Sequence, residues 1–215
     1  MALPGQSVST VRGMGLYRRY LAPILVDTAC SPKALGKWRA KCVENLNGEV
    51  VEIGFGAGRN LAFYPTTVTS LTAVEPSAGM RQRGAKRIED FAGAFHWGGL
   101  DGQHLDLDDN SFDAAVVTFS LCTIPDPALA LQELRRVVRP GGELRVLEHG
   151  LAPNPGVAKW QYRLDPIEKV IADGCHLTRD SVALVEANGW TVTSKYQRFA
   201  PGPKPWSYLT SLRAN

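Results

Sequence analysis

Three alternate glycines stand directly behind a short apolar run in Val50-Val51-Glu52-Ile53-Gly54-Phe55-Gly56-Ala57-Gly58-Arg59-Asn60. Glycines so spaced let a ligand approach the backbone and permit a tight turn with positive φ. A carboxylate, Glu75, closes the next apolar run, 21 residues after Gly54. An acid there can accept both hydroxyls of a ribose in charge-assisted, bidentate bonds. Strand, glycine turn and distal acid together describe a nucleoside site at the carboxyl ends of the strands of an open α/β sheet.

Spacing decides which nucleoside. Dinucleotide sites use G-x-G-x-x-G, whose third glycine lets the helix pack on the strand while its N-terminus faces the pyrophosphate. Here the pattern is G-x-G-x-G, and bulky Arg59 occupies the position that should be small. Glu52, two residues before Gly54, places negative charge where a pyrophosphate would be repelled. The same charge would suit the ammonium of a methionine moiety, directly or through water. These features favour S-adenosylmethionine (SAM) as ligand, with S-adenosylhomocysteine as its demethylated product.

The elements needed to position these groups can be read along the chain. Leu16 to Ala29 has near-helical apolar spacing interrupted by Pro23, which predicts a kinked helix. A second helix should start at Ser31-Pro32, an N-cap followed by proline at the first helical position. Strands are expected at Glu49–Ile53 (followed by a helix start), Ser70–Glu75, Ala92–Trp97, Phe112–Phe119 and Glu143–Glu148. Helices are expected at Ser77–Asp90 and Pro127–Val138. The alternation predicts βαβ units and a mainly parallel, Rossmann-like sheet. The tail breaks the rhythm, with a helix near Thr178–Asn188 and strands at Trp190–Tyr196 and Trp206–Leu212. Two late strands without an intervening helix suggest an antiparallel hairpin at the sheet edge, giving seven strands in all.

Composition sets outer bounds. At 215 residues, with 44% hydrophobic and 21% charged residues, the chain suits one globular α/β domain. We divide it into an N-terminal helical cap (1–47), a SAM-binding core (48–149) and acceptor-side helices and edge strands (150–215). Apolar runs such as Tyr20–Val26 are too short to span a bilayer, and no secretory signal is expected. The four cysteines, Cys30, Cys42, Cys122 and Cys175, form no C-x-x-C pair, which fits a reducing cytoplasm. A net charge of +3 does not imply nucleic acid. Basic residues concentrate in 1–47, where a solvated helix face is expected over contact with anionic lipid. Nothing in the sequence fixes an oligomeric state.

Glu52–Gly58, Val74-Glu75-Pro76-Ser77, Asp101-Gly102-Gln103-His104-Leu105, Asn110-Ser111-Phe112-Asp113 and Leu134–Gly142 together resemble the class I SAM-dependent methyltransferases, in the group holding the ubiquinone and menaquinone methylases. Leu121-Cys122, Leu147-Glu148-His149, Trp160-Gln161 and the run from Asp173 to Arg179 are further similar to the methyltransferase-like alkyl-thiol methyltransferases and their bacterial relatives. Eukaryotic members carry an apolar N-terminal anchor without a counterpart here, so membrane attachment is not carried over. The resemblance implies that Gly54, Gly56 and Gly58 line the methionine and ribose, with Phe55 and Pro76 in the same site. It implies that Glu75 holds the ribose diol and Asp101 the adenine amino group, while the backbone near Gly102 reads the ring edge. Ser120 and Leu121 would border the donor sulfur. Tyr17 matches a tyrosine that closes over the donor, although Arg18 replaces the aspartate often found beside it.

Methyl transfer from a sulfonium is an in-line displacement that needs mainly alignment. A base is required only where the nucleophile arrives protonated, as a thiol or phenol does. The candidates are His149 at the end of the fifth strand, and Asp173 and His176 in the tail; a histidine or aspartate at such a boundary is more often a cap or loop tie. His96 and His104 read as structural or exposed. No two histidines have metal-ligand spacing, so no metal is expected. Cys122, with no paired histidine, reads as a small buried hydrophobe. Trp160, Tyr162 and Trp206 fall in segments that would roof an acceptor pocket, and core packing explains them equally well. Ser120-Leu121-Cys122-Thr123 replaces the Asn/Asp-Pro-Pro-Tyr type of motif, which argues against a nucleic-acid or protein acceptor. The favoured reading is therefore an enzyme methylating a small apolar acceptor, with thiol first, then phenol or quinol. The alternative is a SAM-binding regulatory or partner protein without turnover.

Overall fold

The computed structural model describes residues 27–28 and 32–215. The kinked helix expected at 16–29 and the role of Tyr17 lie largely or wholly outside them. Helix α1 (Pro32–Val43) leads into strand β1 (Gly48–Ile53). Then follow β2 (Val68–Val74), α2 (Ala78–Glu89), β3 (Ala94–Gly99), β4 (Phe112–Thr118), α3 (Pro127–Val137) and β5 (Val138–His149). The chain ends through α4 (Pro155–Ile171), α5 (Ser181–Ala187), β6 (Val192–Phe199), the single turn α6 (Lys204–Ser207) and β7 (Tyr208–Ala214).

The seven strands form one sheet in the order β3-β2-β1-β4-β5-β7-β6. β1 pairs in parallel with both β2 and β4, while β7 runs antiparallel between β5 and β6. The late hairpin is thus present, with its second strand inserted inside the first. Because the chain passes from β1 outward to β2 and β3, then returns to β4 beside β1, the order reverses there. A crevice opens at the carboxyl ends of those two strands, where α/β folds take ligands.

Apolar alternation supplies a core on each face of the sheet. Val51, Ile53, Ala115 and Val117 pack with Leu131, Leu134, Val182 and Val185 from α3 and α5. Val50, Leu71, Ala114 and Val116 pack with Val43, Leu46 and Phe55 on the opposite face. The helices begin where their caps dictate. Asp126 accepts from the N–H groups of Ala128 and Leu129, with Pro127 at the first helical position.

Two expectations are corrected, and one element was not expected. The helix expected after the glycine turn is only a 3₁₀ turn, Leu61–Phe63. The strand expected from Glu143 already begins at Val138 and takes in the Pro-Gly-Gly bend. Between β5 and the tail lies a long helix, α4, that apolar periodicity does not reveal. No helix among the described residues is long and apolar enough to cross a membrane.

Candidate functional site

A cavity of about 550 Å³ opens at the reversal point, within the usual range for small-molecule sites. Gly54 and Gly56 form one wall, and Glu75, Pro76 and Ser77 the next. Asp101, Gly102, Phe119, Ser120, Ile124 and Asp173 also line it among the described residues.

The glycine turn is shaped by the backbone itself. Gly54 has φ +71°, and a Cβ added there would lie 1.7 Å from Ser120 Oγ. Two carbonyl-directed bonds, from the N–H groups of Gly54 and Phe55 to Val74 O at 2.9 and 3.3 Å, hold the turn onto the end of β2. Glu75 is buried, and its two oxygens accept from Gly56 N and Ser77 N, both at 2.8 Å. Each oxygen retains a further lone pair for a ligand hydroxyl. Burial raises the Glu75 pKa above the ordinary carboxylate value, against the lowering effect of those two backbone N–H groups. Asp101 is more exposed and tied by Gln103 N at 2.9 Å, a bond that holds its carboxyl below the usual range.

The far wall is fixed by Glu148 behind it. Its Oε1 accepts from Ser120 N at 2.6 Å and Leu121 N at 2.7 Å, so a buried carboxylate orients the loop after β4. Phe119 takes φ +53°, a costly conformation for an aromatic residue, and thereby turns from the strand into the cavity wall. Asp173, at φ +49°, sits at the turn where α4 ends.

Several residues expected in the site lie elsewhere. Glu52 does not line the cavity: its oxygens accept from Asn60 Nδ2 at 2.8 Å and Tyr64 Oη at 2.7 Å. The pleat places it on the face of Val50, under α1 and toward Arg39, whose guanidinium bonds Asn60 Oδ1 at 2.7 Å. Phe55 turns into the core against Phe95 and Trp97. Gly58 is needed for packing, since a Cβ there would meet the Phe55 ring at 2.7 Å. Leu121 is buried in the core. His149 and His176 do not line the cavity; the first is turned to Cys175, the second lies 3.9 Å from Asp165. Trp160 and Tyr162 face solvent at 55% and 60% exposure, and Trp206 donates to Glu168 Oε2, so none roofs the cavity. Arg59, at the position a dinucleotide site would keep small, instead pairs twice with Asp27, at 2.5 and 2.7 Å.

Sequence reasoning overlooked Phe119, Met80 and Ile124, which carried no chemical signal. It also overlooked a polar group beneath the site, because Cys122, His149 and Cys175 are remote in sequence yet converge in space. Cys122 therefore does have a histidine beside it.

Burial raises the Glu52 pKa to about 7, opposed by its bonds from Tyr64 and Asn60 and by Arg39. A raised acid binds its proton more tightly in the folded state, so this contribution is full below about pH 4.5 and is lost as pH rises through about 7. Glu52→Gln should then stabilise the protein at pH 8 by up to about 3 kcal/mol, and hardly at all near pH 4.5. Denaturant titrations at both pH values check this, and a gain equal at both would refute the ionised-state argument.

The donor set has a clear chemical character. Among the described residues lining the cavity, Glu75, Asp101 and Asp173 are acidic and none is Lys, Arg or His. Such a site suits a cationic ligand bearing a ribose and resists a pyrophosphate. SAM, with its sulfonium and ammonium, fits the residues present.

Known proteins agree with that character. The pattern of the methyltransferase domain family matches residues 51–146. The thiol S-methyltransferase TMT1B of Rattus norvegicus is 36% identical over 142 residues, covering 61% of this chain and 55% of that protein. A demethylmenaquinone methyltransferase of Clavibacter sepedonicus is 30% identical over 128 residues, covering 57% of this chain and 51% of that one. The chain thus spans about half the length of the curated relatives it matches. A SAM-dependent methyltransferase structure from Thermotoga maritima superposes with TM-score 0.59 at 22% identity, covering 96% of this chain and 94% of that chain. Residues 51–146 thus match the methyltransferase domain family, and the sheet has the Rossmann-like fold of the SAM-dependent methyltransferase structure it superposes on.

Proposed function

We propose that the protein transfers a methyl group from SAM to a small thiol, with residues 48–149 as the donor core and 150–215 as the acceptor side. The observation that carries this reading is the cavity's acidic lining without a basic side chain, set at the glycine turn. In this reading Glu75 accepts the ribose hydroxyls, Asp101 the adenine amino group, and Gly54 and Gly56 admit the methionine part against the backbone. Bound there, SAM supplies a methyl carbon already activated by its positive sulfur. Ser120 and Phe119, which line the cavity, would border the donor there and keep water from it.

A thiol must lose its proton before it attacks, because the thiolate is the nucleophile. Asp173 alone of the three base candidates lines the cavity, so it receives that proton and passes it to solvent. The thiolate's electron pair forms the new S–C bond, and the pair of the broken bond stays on the donor sulfur as neutral S-adenosylhomocysteine. The similarity to a thiol S-methyltransferase supports sulfur as the acceptor atom. Purified protein should release S-adenosylhomocysteine with small alkyl thiols and leave phenols and quinols unmethylated. Asp173→Asn should lower that turnover by about 10²–10⁴-fold while sparing SAM affinity. Methylation of a quinol with no thiol activity would overturn the acceptor assignment, and full activity in Asp173→Asn would remove the base.

A further inference from the structure

Behind the cavity wall lies a chemical group that methyl transfer does not use. Cys122 belongs to the loop after β4, His149 is the last residue of β5, and Cys175 follows the turn that ends α4. Their ligand atoms all lie within 4.8 Å of one another. Both cysteines are buried, and His149 Nε2 stands 3.0 Å from Cys175 Sγ. His149 Nδ1 is also buried, without a hydrogen-bond partner among the described residues.

We propose that Cys122, His149 and Cys175 form a zinc site with two thiolates, one imidazole and a fourth position left to water. Two sulfurs and a nitrogen are the donor set that zinc selects, and three protein ligands are enough to hold it. Ideal tetrahedral binding, with Zn–N about 2.0–2.1 Å and Zn–S about 2.3 Å, sets neighbouring ligands roughly 3.5–3.8 Å apart. To reach it, the imidazole and the Cys175 sulfur need separate by only about half an ångström from their 3.0 Å contact, and Cys122 Sγ already lies within 4.8 Å of both.

The charge balance also suits a dication. A dication can displace a proton from each of the two thiols, so two positive charges enter as two leave.

The cage is already tied by main-chain bonds, so little ordering remains to be done on binding. His176 N donates to Cys122 O at 2.8 Å, joining the two cysteine loops. Arg179 donates to the carbonyls of Leu121 and Ile124 on one loop, while its own carbonyl accepts from Leu151 N at 3.1 Å, just past His149. Zinc here would fasten together the loops that bear Ser120 and Asp173 on the cavity side.

The test uses untagged, full-length protein purified in reducing buffer without chelator. Elemental analysis should find about one zinc per chain, falling to a small fraction in Cys122→Ser and Cys175→Ser but not in Cys42→Ser. Cobalt added to the metal-free protein should give thiolate-to-cobalt charge-transfer bands and tetrahedral visible bands. If the serine variants do not fold, alkylation of the native chain decides: Cys122 and Cys175 should label only after a chelator is added. Absence of zinc together with absence of cobalt bands would overturn the proposal. So would labelling indifferent to chelator, retention of the bands in both serine variants, or isolation of a Cys122–Cys175 disulfide in place of a metal. None of these readouts depends on SAM or on the acceptor.

Discussion

Glu75→Ala should weaken SAM binding by about ten- to a hundredfold, the equivalent of about 1.5–3 kcal/mol for bonds to a charged acceptor. The carboxylate sits at the end of β2 with both oxygens already oriented by Gly56 N and Ser77 N, so a ligand diol meets an acceptor that needs no reorganisation. Glu75→Gln keeps one acceptor oxygen and should recover part of the loss. The pH dependence has a definite sign. Burial raises the Glu75 pKa, so on acidification the carboxylate is lost earlier than an ordinary one would be, and affinity falls with it. In Glu75→Gln that acid limb should flatten. Calorimetric titration of folded variants reads both effects, and unchanged affinity in Glu75→Ala would remove the residue from the site.

Gly54→Ala should abolish measurable SAM binding and lower the melting temperature. A left-handed backbone costs an alanine about 1–2 kcal/mol. The new methyl would also lie 1.7 Å from Ser120 Oγ and 2.5 Å from Ser120 Cβ, forcing apart two walls of the cavity. Overpacking of that kind adds about 1–3 kcal/mol. For a domain of this size each kcal/mol lowers the melting temperature by roughly 2–4 °C. Ser120→Gly in the same chain removes the clash but not the backbone strain, so the double variant should recover part of both losses. Gly141→Ala is the matched control: its φ is +84°, with nothing within 4 Å of the added carbon, and it should cost only the strain. A Gly54→Ala protein that binds SAM as the native chain does would show that this turn is not against the ligand.

What the sequence could disclose follows from which faces are apolar. The parallel strands announce themselves because β1, β2 and β4 are buried on both sides, leaving near-continuous apolar runs. Helix α4 stays hidden for the opposite reason. Its buried stripe is polar, Gln161, Asp165 and Glu168, while Trp160 and Ile167 face solvent. Gln161 bonds Ala152 N, Gly150 O and Pro205 O, and Asp165 bonds Leu177 N. That helix is seated by hydrogen bonds, which hydrophobic periodicity does not register, and Pro166 within it further disguises it.

Of the expected residues, those that line the cavity stand where strand ends and glycines fix the geometry, as at Gly54, Gly56, Glu75, Asp101 and Ser120. Others point away from the cavity because the strand pleat or a loop decides which way a side chain turns. Glu52 shares its strand with the turn yet follows the pleat away from the cavity, and Leu121 turns inward one residue after Ser120 turns out. Cys122, His149 and Cys175 lie 27 and 26 positions apart on three elements, so only the folded chain brings them together.

The central claim is that the cavity between the ends of β1 and β4 binds SAM, and thermal melting with three ligands tests it most directly. SAM and S-adenosylhomocysteine, each at a hundred times its Kd, should stabilise the native protein by about 2.7 kcal/mol. Both shifts should shrink in Glu75→Ala, and NAD at the same concentration should leave the curve unmoved. A shift with NAD and none with either SAM compound would contradict the account.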